Sequence, residues 1–420
     1  MQKLEAVAIH MEKEIKDIKV LFPKSISLEE IEMAKCSEIF SEEVVLFLDA
    51  LSKELLRDSN VKEFPDVATL AFFCRKSNLL KLKNQYTNPE IIRLGRGVVF
   101  HIAPSNVPVN FAYSLVSGLL SGNVNIVKVP SKDFKQINLI CEIISKISNN
   151  KEFQNVAKQI ILVKYDKSSN ITNTLSSICD ARVIWGGDNT IDHIRESKTP
   201  AKAFDITFVD RYSLCVINAD TYLLEENKEK LAQGFYNDTY LFDQNACTAP
   251  HLVIWIGSEE NIEKSKTIFW NLVEDLVSKK YDKIPAVVAV NKLTSFYTQA
   301  FDIPDVKIKK SNDNAVWRIQ LNNISKEIEK YKCTNGYFSE YSMDSLSDLQ
   351  QIVTKKYQTM SYYGFKKMEL TQFIRDSKLI GIDRVIPIGR TLDFSLIWDG
   401  YDLIRSLSRV CDISSHKDEA

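Results

Sequence analysis

A cysteine in the segment LFDQNACTAPHLVIW (residues 241–255) stands among Asp243, Gln244, Asn245 and Thr248, directly ahead of an apolar, strand-like run. A thiol becomes a nucleophile where it is accessible and its thiolate is favoured, whereas a thiol among apolar side chains is inert packing. The other cysteines are at 36, 74, 141, 179, 215, 333 and 411. Cys141, Cys179 and Cys215 lie on apolar helix or strand faces and read as core residues. Cys247 has the most polar surroundings, and the chemistry it offers is attack on a carbonyl carbon to form a covalent acyl-enzyme. Two readings stand for the nearby His251: a base for the thiol, or a strand residue with a structural hydrogen bond, which its place at the head of an apolar run favours. His101, inside another apolar run, is assigned no role.

Three other segments could bind or polarise a ligand. In HIAPSNVPVNF an apolar strand ends at Ala103, and a turn presents Ser105 and Asn106 before a helix. The Asn106 amide could donate to a developing oxyanion, or it could cap the helix. In GNVNIVKVPSKDFK a strand ends at Lys128 and a helix is expected to begin near Ser131. A lysine beside a helix N-terminus suits the ribose or phosphate end of a nucleotide; the alternative makes Ser131 an N-cap and the lysines a solvated face. No acid falls between Lys128 and Ser131, so nothing there repels a 2′-phosphate and NADPH is permitted. In VIWGGDNTI, Gly186 and Gly187 allow a tight strand-to-helix turn and close approach of a pyrophosphate, or serve simply as a connector.

The elements that must position these residues follow from periodicity. Residues 1 to about 85 carry apolar positions at three- and four-residue steps, as in LEAVAIHMEKEIKDIKVLF and SEEVVLFLDALSKELL, and predict helices. Beyond them, VVFHIAP, NIVKVP, IILVKY and ARVIW alternate with helical patterns. Repeated strand–helix units with crossovers this short predict a parallel sheet covered on both faces, a doubly wound dinucleotide-binding architecture. A second α/β domain is expected from about residue 207, with a long helix over 258–280 following the cysteine strand. The resulting division is 1–206 for N-terminal helices plus cofactor domain, 207–370 for the cysteine domain, and 371–420 for a C-terminal segment. That segment ends in an amphipathic helix pattern and is expected to return to the first domain or to a partner subunit.

Composition excludes several classes. Lys plus Arg (54) balances Asp plus Glu (55), so neither nucleic acid nor an anionic membrane surface is an expected partner. No apolar run approaches the length of a membrane helix, and the charged first twenty residues do not resemble a signal peptide. The scattered cysteines show no CxxC or paired spacing, which argues against zinc and disulfides and for a reduced, cytoplasmic protein.

In this order, the four segments resemble the aldehyde dehydrogenase superfamily. DQNACTAPH together with GIDRVIPIGRTLDFSLIWDGYDLI narrows the resemblance to the acyl-CoA reductase branch, typified by the fatty acid reductase subunit of bacterial luminescence (LuxC). The resemblance covers residues 90 to 410 and implies an aldehyde dehydrogenase-like fold of two doubly wound α/β domains. It implies Cys247 as nucleophile, Asn106 in the oxyanion hole, Lys128 and Ser131 at the adenosine ribose, and Gly186 with Gly187 at the pyrophosphate. Hydrolytic aldehyde dehydrogenases carry a water-activating glutamate upstream of the cysteine. Here FDITFVDRYSLCVINAD holds only Asp205 and Asp210, which favours acyl exchange with a thiol over hydrolysis. A nicotinamide-ribose glutamate is not placed; Glu340 is one candidate.

The expected activity is therefore NADPH-dependent reduction of a fatty acyl-CoA or acyl-protein thioester to an aldehyde, with NADH also possible as cofactor. The resemblance further implies a homo-oligomer and an acyl-protein synthetase partner. Two alternatives stay open: NAD(P)-dependent aldehyde oxidation, either CoA-acylating or hydrolytic, and an acyl-carrying subunit without redox activity.

Overall fold

The computed structural model describes residues 18–23, 31, 35–105, 107–166, 169–282 and 284–413. The chain forms two compact units, one running to Val209 and resuming at Phe394, the other spanning Asp210–Asp393.

The first unit is built on a six-stranded sheet of order β1-β5-β4-β3-β6-β7. Its strands are β1 (Lys19–Phe22), β3 (Val98–Ile102), β4 (Val124–Lys128), β5 (Ile160–Lys164), β6 (Ala181–Trp185) and β7 (Phe204–Phe208), while β2 (Ile92–Gly95) lies outside it. All neighbours are parallel except β1, which runs antiparallel to β5. Every residue of β3, β4 and β6 is buried, as strands covered on both faces must be. Helices Asn110–Leu120, Lys135–Ser148, Ile171–Ile178 and Asp188–Arg195 occupy the connections. The chain winds outward from β3 to β4 and β5 on one side and to β6 and β7 on the other. The β3–β6 boundary is thus a switch point, where such sheets receive ligands at their carboxyl ends.

Helices Glu42–Arg57, Pro65–Phe73 and Lys76–Tyr86 bury Leu48, Leu51, Leu70 and Leu79 in one core with Ile140 and Ile144 of the 135–148 helix. The helix expected over LEAVAIHMEKEIKDIKVLF needs correction at its end. Residues 1–17 lie outside the described set, and Lys19–Phe22 is an edge strand that buries Phe22. The C-terminal stretch also differs from expectation. Only Leu403–Leu407 is helical, and Ser408–Cys411 pairs antiparallel with β2. The return to the first unit begins at Phe394, whose ring stacks on Tyr113 at 4.3 Å, rather than at 371. Residue 371 falls within helix Lys367–Ser377, which packs Leu370 and Phe373 into the second unit.

The second unit is a seven-stranded sheet: β8 (Tyr212–Asn218), β9 (Pro250–Ile256), β10 (Lys307–Lys310), β11 (Trp317–Gln320), β12 (Tyr337–Met343), β13 (Tyr357–Tyr363) and β14 (Arg384–Pro387). Its order is β10-β11-β12-β9-β8-β13-β14, parallel apart from the β10–β11 pair. Helices Lys228–Tyr240 and Glu259–Lys280 share a core with Trp255, in which Phe235, Phe269 and Trp270 meet edge to face at 5.1–5.6 Å. The longer helix starts where Ser258 accepts the Asn261 N–H and carries acids in its first turn and lysines in its last, matching the helix dipole. No described helix is long and apolar enough to cross a membrane.

Candidate active site

Cys247 sits at the amino-terminal edge of the second sheet, in a turn closed by the Ala249 N–H donating to Ala246 O at 2.9 Å. Helix Lys228–Tyr240 ends just before it, and Asp243 and Gln244 adopt left-handed backbone angles (φ 52° and 60°) to reverse the chain. Such angles are uncommon away from glycine, and the surroundings here hold them in place. The Asn335 N–H donates to Asp243 O at 2.9 Å. The Gln244 side chain is 1% exposed; its Nε2 donates to Pro250 O (2.9 Å) and Tyr337 O (3.0 Å), and its Oε1 accepts from the N–H groups of Gly336 (2.9 Å) and Tyr337 (3.0 Å). On the other side the buried Ser213 hydroxyl donates to Cys247 O at 2.6 Å and accepts from Thr359 N at 3.1 Å. The β8–β9 and β8–β13 registers shift beside this serine, so bulges flank the cysteine turn.

Neighbouring parallel strands bring remote residues to the same edge. Asp210 precedes β8, Cys247 precedes β9 and Lys332 precedes β12, three adjacent strands. The Cys247 Sγ lies 3.8 Å from Asp210 Oδ1, which accepts from Lys332 Nζ at 2.9 Å. Lys332 also donates to Arg211 O at 3.0 Å. Asp205, the other acid of the upstream segment, belongs to β7 and is bound by Arg182 (2.7 and 2.9 Å) and Arg195. Sequence reasoning noted Asp210 only as a leftover acid, and it missed Lys332 and Ser213.

The remaining candidates separate by burial. Burial pushes the thiols of Cys74, Cys141, Cys179 and Cys215 up to about 12, so none is a thiolate near neutrality, whereas Cys247 is only half-buried. His251 is 2% exposed, its Nδ1 lies 3.0 Å from Cys333 O, and its ring stacks on Tyr212. Burial, with the Lys332 charge, holds it well below the usual histidine range, so it is a neutral structural residue. His101 is pushed down to about 4 by burial and bridges Ser114 and Asn125. Glu340 cannot reach a ribose. It is 1% exposed, and its carboxylate accepts from Trp255 (3.1 Å), Trp270 (2.6 Å) and Arg318 (3.0 Å) inside the second unit.

In the first unit, the ends of β4, β3 and β6 line up Lys128, Ser105 and the Gly186–Gly187 turn along the carboxyl edge at the switch point. Asn106 lies outside the described residues. The helix after it starts at Asn110 with Val109 in the cap position. Likewise the next helix begins at Lys135 behind Phe134, and Ser131 is an exposed loop residue rather than its cap. The Lys128 ammonium lies 4.3 Å over the Tyr165 ring. A Cβ at Gly186 would meet Thr190 at 3.1 Å, while one at Gly187 would meet nothing within 4 Å. That open side, next to a switch point, leaves room for a phosphate group to approach the backbone. Asp188 places an acid in the first turn of the helix that follows, so a pyrophosphate contact would rest on the close backbone approach rather than on the helix dipole.

A doubly wound unit followed by an α/β unit presenting a half-buried cysteine defines an aldehyde dehydrogenase-type fold, and solved structures agree. A variant of Thermus thermophilus 1-pyrroline-5-carboxylate dehydrogenase superposes with a TM-score of 0.63 at 13% identity, over 96% of this chain and 85% of that one. An indole-3-acetaldehyde dehydrogenase complexed with NAD+ gives 0.62 at 11% identity, over 88% and 82%. Within this fold, the chain belongs to the acyl-CoA reductase (LuxC) family, whose sequence profile matches residues 41–410. Similar proteins include the long-chain acyl-protein thioester reductases of Vibrio harveyi, 23% identical over 77% of this chain and 64% of that protein, and of Photorhabdus laumondii, with the same figures. The matched stretch spans just under two thirds of those relatives' length.

Proposed function

We propose that this protein reduces an acyl thioester to an aldehyde through an acyl-cysteine on Cys247. The observation that carries the reading is the half-buried thiol in a braced turn, in a chain of the acyl-CoA reductase family. The Cys247 sulfur attacks the thioester carbonyl, and the Asn106 amide with the Cys247 backbone N–H receives the oxyanion. Collapse of the tetrahedral adduct expels the substrate thiol and leaves the acyl group on sulfur. The chemistry that a reduced nicotinamide dinucleotide supplies when bound is hydride donation to that acyl carbon. Lys128 and Ser131 would hold its adenosine ribose, and Gly186 and Gly187 its pyrophosphate. The thiohemiacetal oxyanion then re-forms its C=O and releases aldehyde and the Cys247 sulfur as thiolate, which takes up a proton from solvent to restore the thiol.

The absence of an acid between Lys128 and Ser131 supports NADPH over NADH. The names of the similar reductases support a long-chain acyl-protein thioester as donor, and the family's description supports acyl-CoA; an acyl-protein synthetase is the partner that would supply the former. Adding acyl-CoA and NADPH should consume cofactor and yield aldehyde, and Cys247→Ala should abolish both; undiminished turnover in that variant rejects the mechanism. One observation favours a second reading. Asp210 puts a carboxylate beside the nucleophile, as aldehyde oxidation to an acid would require. Assaying aldehyde with NAD(P)+, with and without CoA, separates the two.

A further inference from the structure

The Asp210–Lys332 pair has an ordinary explanation as a surface ion pair, since the Asp210 side chain is 64% exposed. Exposed pairs of this kind contribute little to stability. Three features set this one apart. The oxygen that accepts from Lys332 is the same one that faces the Cys247 sulfur, Oδ1. Lys332 is only 20% exposed and is anchored a second time on Arg211 O, so its ammonium has a fixed place. The segments bearing Lys332 and Cys247 are bound together by three hydrogen bonds of Gln244, to Gly336 and Tyr337, and by Asn335 N–H to Asp243 O.

We infer that Asp210 is the catalytic residue that carries the proton of acyl transfer at Cys247, with Lys332 as its positioning residue; this rests on the acyl-transfer reading above. As the sulfur–carbon bond forms, the thiol proton passes from Cys247 Sγ to Asp210. As the tetrahedral adduct collapses and the carbon–sulfur bond to the substrate thiol breaks, the same proton passes from Asp210 to the departing sulfur. Atoms and charge balance, with one thiol consumed and one released and no external acid required. A carboxylate is a weaker base than a thiolate, so the first transfer accompanies bond formation rather than preceding it. The 3.8 Å separation is that of a resting site, and such contacts commonly shorten when substrate binds.

The test is the rate at which Cys247 gains acyl mass, followed without cofactor by intact-protein mass spectrometry on wild type, Asp210→Asn, Lys332→Met and Lys332→Arg. With acyl-CoA near pH 7, Asp210→Asn should slow acylation by about 100-fold or more, within the usual range for general acid–base catalysis. With a thiophenyl ester at a pH about one unit above the ordinary thiol value, solvent removes the thiol proton and thiophenolate departs without one. There the loss should shrink below about 10-fold. Lys332→Met should follow the same leaving-group pattern, and Lys332→Arg should recover most of the rate. Equal losses with both esters, or no loss with either, overturn the role of Asp210. If wild type gains no acyl mass from either ester, the acyl-transfer reading itself fails, a result distinct from the other two.

Discussion

The side-chain amide of Gln244 grips both the N–H and the C=O of Tyr337, each at 3.0 Å. A buried amide thus pairs with backbone as another strand would, and it bonds the cysteine turn to the start of β12. Gln244→Leu keeps the volume but strands the N–H groups of Gly336 and Tyr337 and a lone pair on Pro250 O. Unpaired buried groups cost about 1–3 kcal/mol each, so the variant should lose roughly 3 kcal/mol or more in denaturant unfolding. Acylation of Cys247 should fall as well. A melt matching wild type would show that the bonds are dispensable.

The Arg318–Glu340 pair should behave as structure, not as cofactor site. Arg318→Met leaves a buried carboxylate with only two indole donors, and breaking such a pair costs about 3–5 kcal/mol. Chemical unfolding should show that loss, while nucleotide affinity measured on the folded fraction stays at the wild-type value. A selective loss of nucleotide affinity without destabilisation would restore Glu340 as a ribose ligand.

Stability should carry a signature of Asp238. Burial pushes its carboxyl up to about 6, even though the Gly389 (2.6 Å) and Thr391 (2.9 Å) N–H groups bond to it. The folded protein therefore holds this proton more tightly than the unfolded chain. The contribution is fully present below the ordinary carboxyl value and is lost as pH rises through about 6. Over that window the stability difference between wild type and Asp238→Asn should move by about 3 kcal/mol against wild type. A difference that stays flat with pH would mean Asp238 does not titrate there.

What could be read from the sequence depended on distance along the chain. Strands β3, β4, β5 and β6 and the helices between them declared themselves through local periodicity, and Cys247 through its polar neighbours before an apolar run. The site's other members had no such signal. Asp210 and Lys332 are 122 residues apart and look like ordinary surface charges until parallel pairing sets their strands side by side. Ser213 looks like any strand serine until a register shift turns its hydroxyl to Cys247 O. At the C-terminus, LIRSLSRV has helical spacing, yet its second half pairs with β2, more than 300 residues earlier, because tertiary pairing outweighs local propensity. The four-residue strand β1 is too short and too charged at its start for any period to show.

The central claim is that Cys247 carries the acyl group. The most direct measurement is peptide-level mass spectrometry of wild type and Cys247→Ser after brief exposure to a panel of acyl-CoAs. The account predicts one acyl mass on the wild-type peptide spanning residues 241–255, discharged as aldehyde when NADPH is added, and no thioester in the variant. An acyl group on another cysteine, or an adduct that NADPH leaves untouched, would contradict it.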